Sequence, residues 1–167
     1  MKTAIIYASK TGTTKKVAEA LAEKIKGEVK LLPIANVKPG CLLRYDFVII
    51  AGSIHYGRIQ SEIKSFVNKN RATFRGILYG LYIMCMFEDE CEEYMKKSFG
   101  EDIVENAMIR ACFGGEVNPN EGNFVTKKLI KANLKKFEEE GKEPPSIRWK
   151  RVDEFSDEIN NRINKSK

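Results

Sequence analysis

The chain has 167 residues, 43% of them apolar and 31% charged, and carries a formal net charge of +6. That balance fits a soluble globular protein with one sizeable core, so a single domain over 1–167 is expected. No apolar run approaches the ~18–20 residues that span a bilayer, and Met1-Lys2-Thr3-Ala4 lacks the apolar stretch and cleavage site of a signal peptide, so a cytoplasmic location is expected.

A first strand is predicted over 3–8, where the near-continuous apolar run suits a strand buried on both sheet faces. A helix starts from about Thr13, with Val17, Ala18, Leu21, Ala22 and Ile25 at helical spacing, and Gly27 stops it. A second strand over 28–34 carries Pro33, which marks its end or a sheet edge. Asp46-Phe47-Val48-Ile49-Ile50-Ala51 is the strongest strand signal and closes on Gly52-Ser53. A helix from about Gln60 to Asn70 turns Ile63, Phe66 and Val67 inward, and a further strand covers 77–86. Acidic residues 88–93 open a helix reaching about Phe99, a short helical turn spans 101–105, and a fifth strand spans 107–113. Residues 114–122 are rich in turn formers. A helix over 124–140 has a thin apolar face (Phe124, Val125, Leu129, Leu134, Phe137) and a basic remainder (Lys127, Lys128, Lys131, Lys135, Lys136). A break at Pro144-Pro145 leads past Trp149 to a last helix, about 152–163, with Val152, Phe155, Ile159 and Ile163 inward.

Strand and helix alternate five times, which predicts an α/β fold with a parallel sheet covered on both faces. In such sheets a ligand binds at the C-terminal strand ends where strand order reverses. With the order 2-1-3-4-5, the loops at 9–14, 53–58 and 85–88 meet there, and these are the loops of unusual composition.

The first of them, Ser9-Lys10-Thr11-Gly12-Thr13-Thr14, puts four hydroxyls and a Gly at the start of a helix. A helix start offers unpaired N–H groups and partial positive charge, so the stretch suits a phosphate. Helix capping accounts for one or two of the hydroxyls, not all four. The pattern is neither G-x-x-x-x-G-K-[ST] nor G-x-G-x-x-G, so a dinucleotide is not favoured. In the second loop, Ser53-Ile54-His55-Tyr56-Gly57, Tyr56 is placed to stack on a flat ring, His55 to donate a hydrogen bond or carry charge, and Gly57 to let the backbone approach. The alternative makes Tyr56 a half-buried loop aromatic and His55 a solvated one. The third loop offers Cys85, Met86 and Phe87, with Phe87 either bordering a ring or packing on the sheet. Gly114-Gly115, ending the fifth strand, stands where a ring's outer edge would lie.

The first loop, at Ser9, Thr11, Gly12 and Thr14, resembles the [ST]-x-T-G-x-T phosphate loop of the flavodoxin family. Gly52-Ser53-Ile54-His55-Tyr56-Gly57 is similar to the second loop of the flavodoxin-like, menaquinone-dependent protoporphyrinogen oxidases, and the insert over 115–141 with Trp149 beyond it matches their layout. The resemblance implies a three-layer flavodoxin-like sandwich with a five-stranded parallel sheet of order 2-1-3-4-5. It implies non-covalent flavin mononucleotide (FMN), with Lys10 and Thr13 in the phosphate loop alongside the matched positions. It also implies electron transfer through the flavin, either as an oxidoreductase acting on a small-molecule substrate with a quinone or other acceptor, or as a carrier between redox partner proteins.

Two further features bear on partners. Residues 1–87 hold 14 Lys/Arg against 5 Asp/Glu, so the first half is basic, which suits an anionic ligand or acidic partner. No nucleic-acid motif is present, so nucleic acid is not expected. The basic 124–140 helix is either a solvated surface helix or a contact for anionic lipid head groups or an acidic partner. The carboxylates at 88–90 either lower the flavin potential or merely begin a helix. Cys41, Cys85, Cys91 and Cys112 lack C-x-x-C spacing and read as free thiols, and with one His no zinc site is expected.

Overall fold

The computed structural model describes residues 1–116 and 123–165, with side chains through 162. The turn-forming stretch 117–122 and the inward position of Ile163 therefore lie outside the described residues. Strand β1 (Lys2–Tyr7) is followed by helix α1 (Thr13–Lys24), β2 (Glu28–Pro33), β3 (Phe47–His55), β4 (Arg58–Ile59) and α2 (Ser61–Lys69). Next come α3 (Arg71–Phe74), β5 (Tyr79–Met84), α4 (Cys91–Phe99), α5 (Glu101–Glu105) and β6 (Ile109–Cys112). The last elements are α6 (Phe124–Glu139) and α7 (Trp149–Lys165).

Five strands run parallel in the order β2-β1-β3-β5-β6, and β4 adds antiparallel to the end of β3. Leaving β4 aside, this is the 2-1-3-4-5 order expected. The apolar runs of β1, β3 and β5 are continuous because both faces are covered. On one face Ala4, Ile6, Val48, Ile50, Leu81 and Ile83 pack with Ile63 and Val67 of α2 and with Met95 and Phe99 of α4. On the other, Ile5, Tyr7, Ile49, Ala51, Tyr82 and Met84 pack with Val17 and Leu21 of α1 and with Val152, Phe155 and Ile159 of α7. The alternation of successive residues between the two sets is the two-residue repeat of a strand. β2, at the edge, is only half-buried, and Pro33 ends it where a missing N–H costs nothing.

The elements depart from expectation most clearly at four places. β3 does not stop at Ala51: it continues through Gly52-Ser53-Ile54-His55 and folds back as a hairpin, pairing Ile54 with Ile59 and His55 with Arg58. The two turn residues, Tyr56 (φ 52°) and Gly57 (φ 74°), are both left-handed, as a two-residue turn matching strand twist requires. Residues 77–78 stay outside β5, with Leu78 58% exposed. Glu88–Glu90 form a separate 3₁₀ turn, so α4 begins only at Cys91. α7 begins at Trp149, ahead of the expected start.

The chain returns to the sheet after α6 through an antiparallel bridge between Gly114 and Ile147. Gly115 N–H donates to Ser146 O (3.2 Å) and Arg148 N–H to Phe113 O (2.9 Å). A Cβ on Gly114 would lie 2.2 Å from the Ser146 carbonyl oxygen, and φ there is +70°. Gly114→Ala is therefore expected to lower stability by about 2 kcal/mol through backbone strain, measured as a drop in urea midpoint at unchanged m.

Candidate functional site

The loops after β1, β3 and β5 converge at the C-terminal sheet edge, where order reverses beside β1. α1 starts there with Gly12 (φ 90°) at its N-cap position, no side-chain cap and no acidic residue in its first turn. Ser9 Oγ accepts from Lys15 N–H at 3.3 Å, and the hydroxyls of Thr11 and Thr13 lie 3.3 Å apart. Thr14 is buried and its hydroxyl has no hydrogen-bond partner among the described residues. Among the described residues nothing lies within 4 Å of where a Gly12 Cβ would be. Among the described residues only Ser9 offers a side-chain acceptor to an N–H at the helix start, that of Lys15. A buried, unbonded hydroxyl beside an uncapped helix start is a place where an anion restores what the chain leaves unpaired.

The β3–β4 hairpin is held by Gln60. Its Oε1 accepts from Ser53 N–H (3.0 Å), and its amide donates to Ser53 Oγ (2.7 Å) and to Ala8 O (3.5 Å). Ser53 Oγ and His55 Nε2 share a hydrogen bond of 2.9 Å. One side chain thus joins the end of β1 to the hairpin and fixes Ser53, which in turn orients the imidazole. Tyr56 at the hairpin tip is 72% exposed, and its hydroxyl shares a 3.0 Å hydrogen bond with Thr126 Oγ1 on α6.

Beyond β5, Cys85 is buried; its N–H donates to Gly114 O (2.7 Å) and its thiol to Phe87 O (3.3 Å). Phe87 stacks on Phe137 of α6 with ring centroids 5.5 Å apart and planes 20° from parallel. Between hairpin, third loop and α6 lies a cavity of about 400 Å³. Lys10, Thr11, Thr13, the 53–57 segment, Met84, Cys85, Met86 and Phe87 line it from the sheet side. Thr126, Leu129, Ile130 and Asn133 line it from α6, with Tyr94, Gly115 and Glu116 at its margins. A second cavity of about 860 Å³ opens on the other side of the hairpin, against Ser9, Gly12, Lys15, Pro33 and Arg58. Lys10, His55 and Tyr56 border both.

The structure thus brings three predicted loops to one place, but not every predicted residue. Gly114 does not border the cavity; it is packed under Ser146 and Arg148, and Gly115 takes the lining position. Thr14 lies behind the lining, buried in the first turn of α1. The carboxylates at 88–90 line neither cavity. Glu88 is gripped by Arg148 and Arg151, each at 2.6 Å, and Asp89 pairs with Lys142 at 3.2 Å. The hydrogen bond from Tyr94 to Glu90, with some burial, pushes the Tyr94 phenol up to about 12. The acidic bunch is therefore a clasp between the third loop and the chain returning from α6.

The residues missed in the sequence belong mostly to α6. Leu129 sits on the thin apolar face recognised there, but nothing in the pattern says what that face covers. Of the sixteen residues of α6 only Phe137 is buried. Gln60 and Tyr94 carry no local signal; their roles arise from the fold.

A doubly wound parallel sheet with anion-receptive and aromatic loops at its switch point is the arrangement of α/β proteins that bind a ligand at the C-terminal strand edge. The chain belongs to the flavodoxin domain family, whose model matches residues 4–144. It is 25% identical to the protoporphyrinogen IX dehydrogenase [quinone] of Escherichia coli K12 over 171 aligned positions, covering 95% of this chain and 94% of that one. The fold is similar to that of a flavodoxin from Streptococcus pneumoniae TIGR4, at 16% identity and a TM-score of 0.60 over 97% of this chain and 99% of that one. It is also similar to a flavoprotein from Lactobacillus acidophilus in complex with FMN, at 16% identity and a TM-score of 0.52 over 66% and 92%. Among the described residues no helix is long and apolar enough to cross a membrane.

Proposed function

We propose that this protein binds FMN non-covalently and transfers electrons through it. The observation that carries the reading is the uncapped start of α1, with its unbonded Thr14 hydroxyl, opening beside a cavity bordered by Tyr56 and Phe87. Ser9 to Thr14 hold the phosphate. Ser53 to Gly57 and Cys85 to Phe87 flank the ring, with Gly115 in place of Gly114 at its margin. Bound FMN supplies the redox chemistry; the chain supplies binding, orientation and charge. His55, held by Ser53, presents the one imidazole of the chain to the ring's polar edge.

The reading extends to an oxidoreductase similar to the E. coli dehydrogenase, which would take electrons from a reduced small molecule and pass them to a quinone or another acceptor. Coverage of 95% of this chain by that relative supports it. So does α6, which walls the cavity with Leu129 and Ile130 and so encloses space for an apolar acceptor. Phe124 and Val125, 81% and 71% exposed at the start of this basic helix, suit contact with an anionic surface. The second reading is a carrier between protein partners; the exposed Tyr56 at the cavity mouth favours it. The protein works as one domain in the cytoplasm on either account.

Purified protein is expected to be yellow, and heat is expected to release FMN identifiable by its absorbance and mass. A colourless protein that also rejects added FMN overturns the assignment. Following protoporphyrinogen oxidation with a quinone acceptor separates the two roles: turnover supports the enzyme, and no turnover alongside rapid exchange with a redox protein supports the carrier.

A further inference from the structure

Gln60 begins a chain of hydrogen bonds that ends on the imidazole of His55. Ser53 N–H can only donate, and it meets Gln60 Oε1 at 3.0 Å, which fixes which end of the amide is oxygen. The Gln60 NH₂ group therefore faces Ser53 Oγ at 2.7 Å and Ala8 O at 3.5 Å. A carbonyl oxygen can only accept, so Ala8 calls for the same amide orientation as Ser53 N–H. A Cβ on Gly52 would lie 2.8 Å from Gln60 Oε1, so the glycine leaves the amide its room. Ser53 is buried, and its hydroxyl accepts from Gln60. The hydroxyl's own proton then has His55 Nε2, at 2.9 Å, as its acceptor. A ring nitrogen that accepts is bare, and in a neutral imidazole the proton then sits on the other nitrogen.

We infer that Gln60 is a positioning residue which, through Ser53, holds His55 as the Nδ1–H tautomer. Histidine free in water favours the opposite form, with the proton on Nε2, so the chain imposes this one. For its consequence the inference rests on the FMN reading and deepens it: His55 offers the polar edge of the ring a donor that carries no charge. Charges of both signs surround the imidazole. Arg58 pairs with His55 across the hairpin, and Lys10, Lys15 and Glu62 border the second cavity with it. Tyr94 and Glu116 border the first. These groups bear on whether the ring takes a second proton. Which nitrogen holds the proton of the neutral ring is set by the amide, because the direction of donation runs from Gln60 to Ser53 to His55.

The test uses the full chain without bound flavin, its histidine labelled with ¹⁵N, so that one imidazole gives the whole signal. Well above the ring's titration midpoint, the two nitrogens are distinguished by their NMR shifts and their couplings to the ring protons. A protonated Nδ1 and a bare Nε2 are expected. Gln60→Glu keeps the shape of the side chain and reverses the chain of donors. One carboxylate oxygen accepts from Ser53 N–H, the other takes the Ser53 hydroxyl proton, and Ser53 Oγ is left to accept from His55 Nε2–H. The ring proton is therefore expected to move from Nδ1 to Nε2. Ser53→Ala cuts the relay and is expected to return the ring to the Nε2–H majority of free histidine, which serves if Gln60→Glu does not fold. A protonated Nε2 in the parent chain, or Nδ1–H persisting in either folded variant, overturns the inference. The measurement needs no flavin, whereas the FMN reading stands or falls by the colour of the protein and its uptake of added FMN, so the two failures are told apart.

Discussion

Thr11→Val is expected to weaken FMN binding about tenfold or more, the loss of one hydrogen bond to a charged phosphate being worth ~1.5–3 kcal/mol. Thr11 is exposed at the cavity, with only the Thr13 hydroxyl beside its own, so unfolding of the ligand-free protein should stay within about 0.5 kcal/mol of the parent. Thr14→Val separates the two states in the opposite sense. It removes a buried hydroxyl that nothing satisfies in the free chain and keeps the branched shape, so the ligand-free protein should gain about 1 kcal/mol. If both hydroxyls serve the phosphate, the Thr14 variant is more stable empty and less stabilised by added FMN, because linkage scales with affinity. Fluorescence titration with FMN and urea unfolding with and without it measure both quantities. Unchanged affinity in Thr11→Val would count against the phosphate assignment.

The second large effect is expected at Phe137. It is the one buried residue of α6 and stacks on Phe87, so Phe137→Ala removes both the anchor of the helix and the partner of a cavity wall. Truncating a buried Phe costs ~3–5 kcal/mol where the whole side chain is lost from a packed site. Here that loss falls on α6, whose further ties among the described residues include the Tyr56–Thr126 hydrogen bond, with the Lys142–Asp89 ion pair just past its end. Amide exchange over 124–139 should accelerate by about 100-fold or more, while amides of β1, β3 and β5 change little. Uniform acceleration across the chain would show instead that α6 and the sheet unfold as one unit.

The contrast between these two regions shows what a sequence of this kind conveys. The sheet was legible because Ile5, Ile49 and Leu81 sit in runs apolar on both faces, a pattern that short strands buried within a covered sheet produce and solvated elements do not. The phosphate loop was legible because four hydroxyls exceed what capping uses. The hairpin was not, because its turn is Tyr56-Gly57 rather than the Asn-Gly or Asp-Gly pair that signals such turns, and because Ile54 and His55 owe their strand conformation to pairing with β4. The start of α4 was misplaced because acidic residues at 88–90 mimic a helical first turn. Glu88 answers instead to Arg148 and Arg151 and Asp89 to Lys142, far along the chain, and no local pattern encodes that. Gly114 and Gly115 differ in the left-handed φ of the first and in the returning chain that presses on it at Ser146. The position of α6 over the cavity depended likewise on the Phe87–Phe137 ring contact and the Tyr56–Thr126 hydrogen bond, which periodicity cannot supply.

The bridge between Gly114 and Ile147 has a consequence for how the chain can be rebuilt. Both ends of the intervening segment are fastened to each other by backbone hydrogen bonds, so that segment is a closed loop on the finished sheet. The entropy of closing such a loop grows only slowly with its length, about 0.6 kcal/mol for each doubling. Residues between the two ends can thus be shortened, lengthened or exchanged at small thermodynamic expense to the sheet, provided Gly114 keeps its place beneath Ser146. The wall facing the cavity is in this sense a cassette: a lineage could change what reaches the ring without redesigning the loops that hold it.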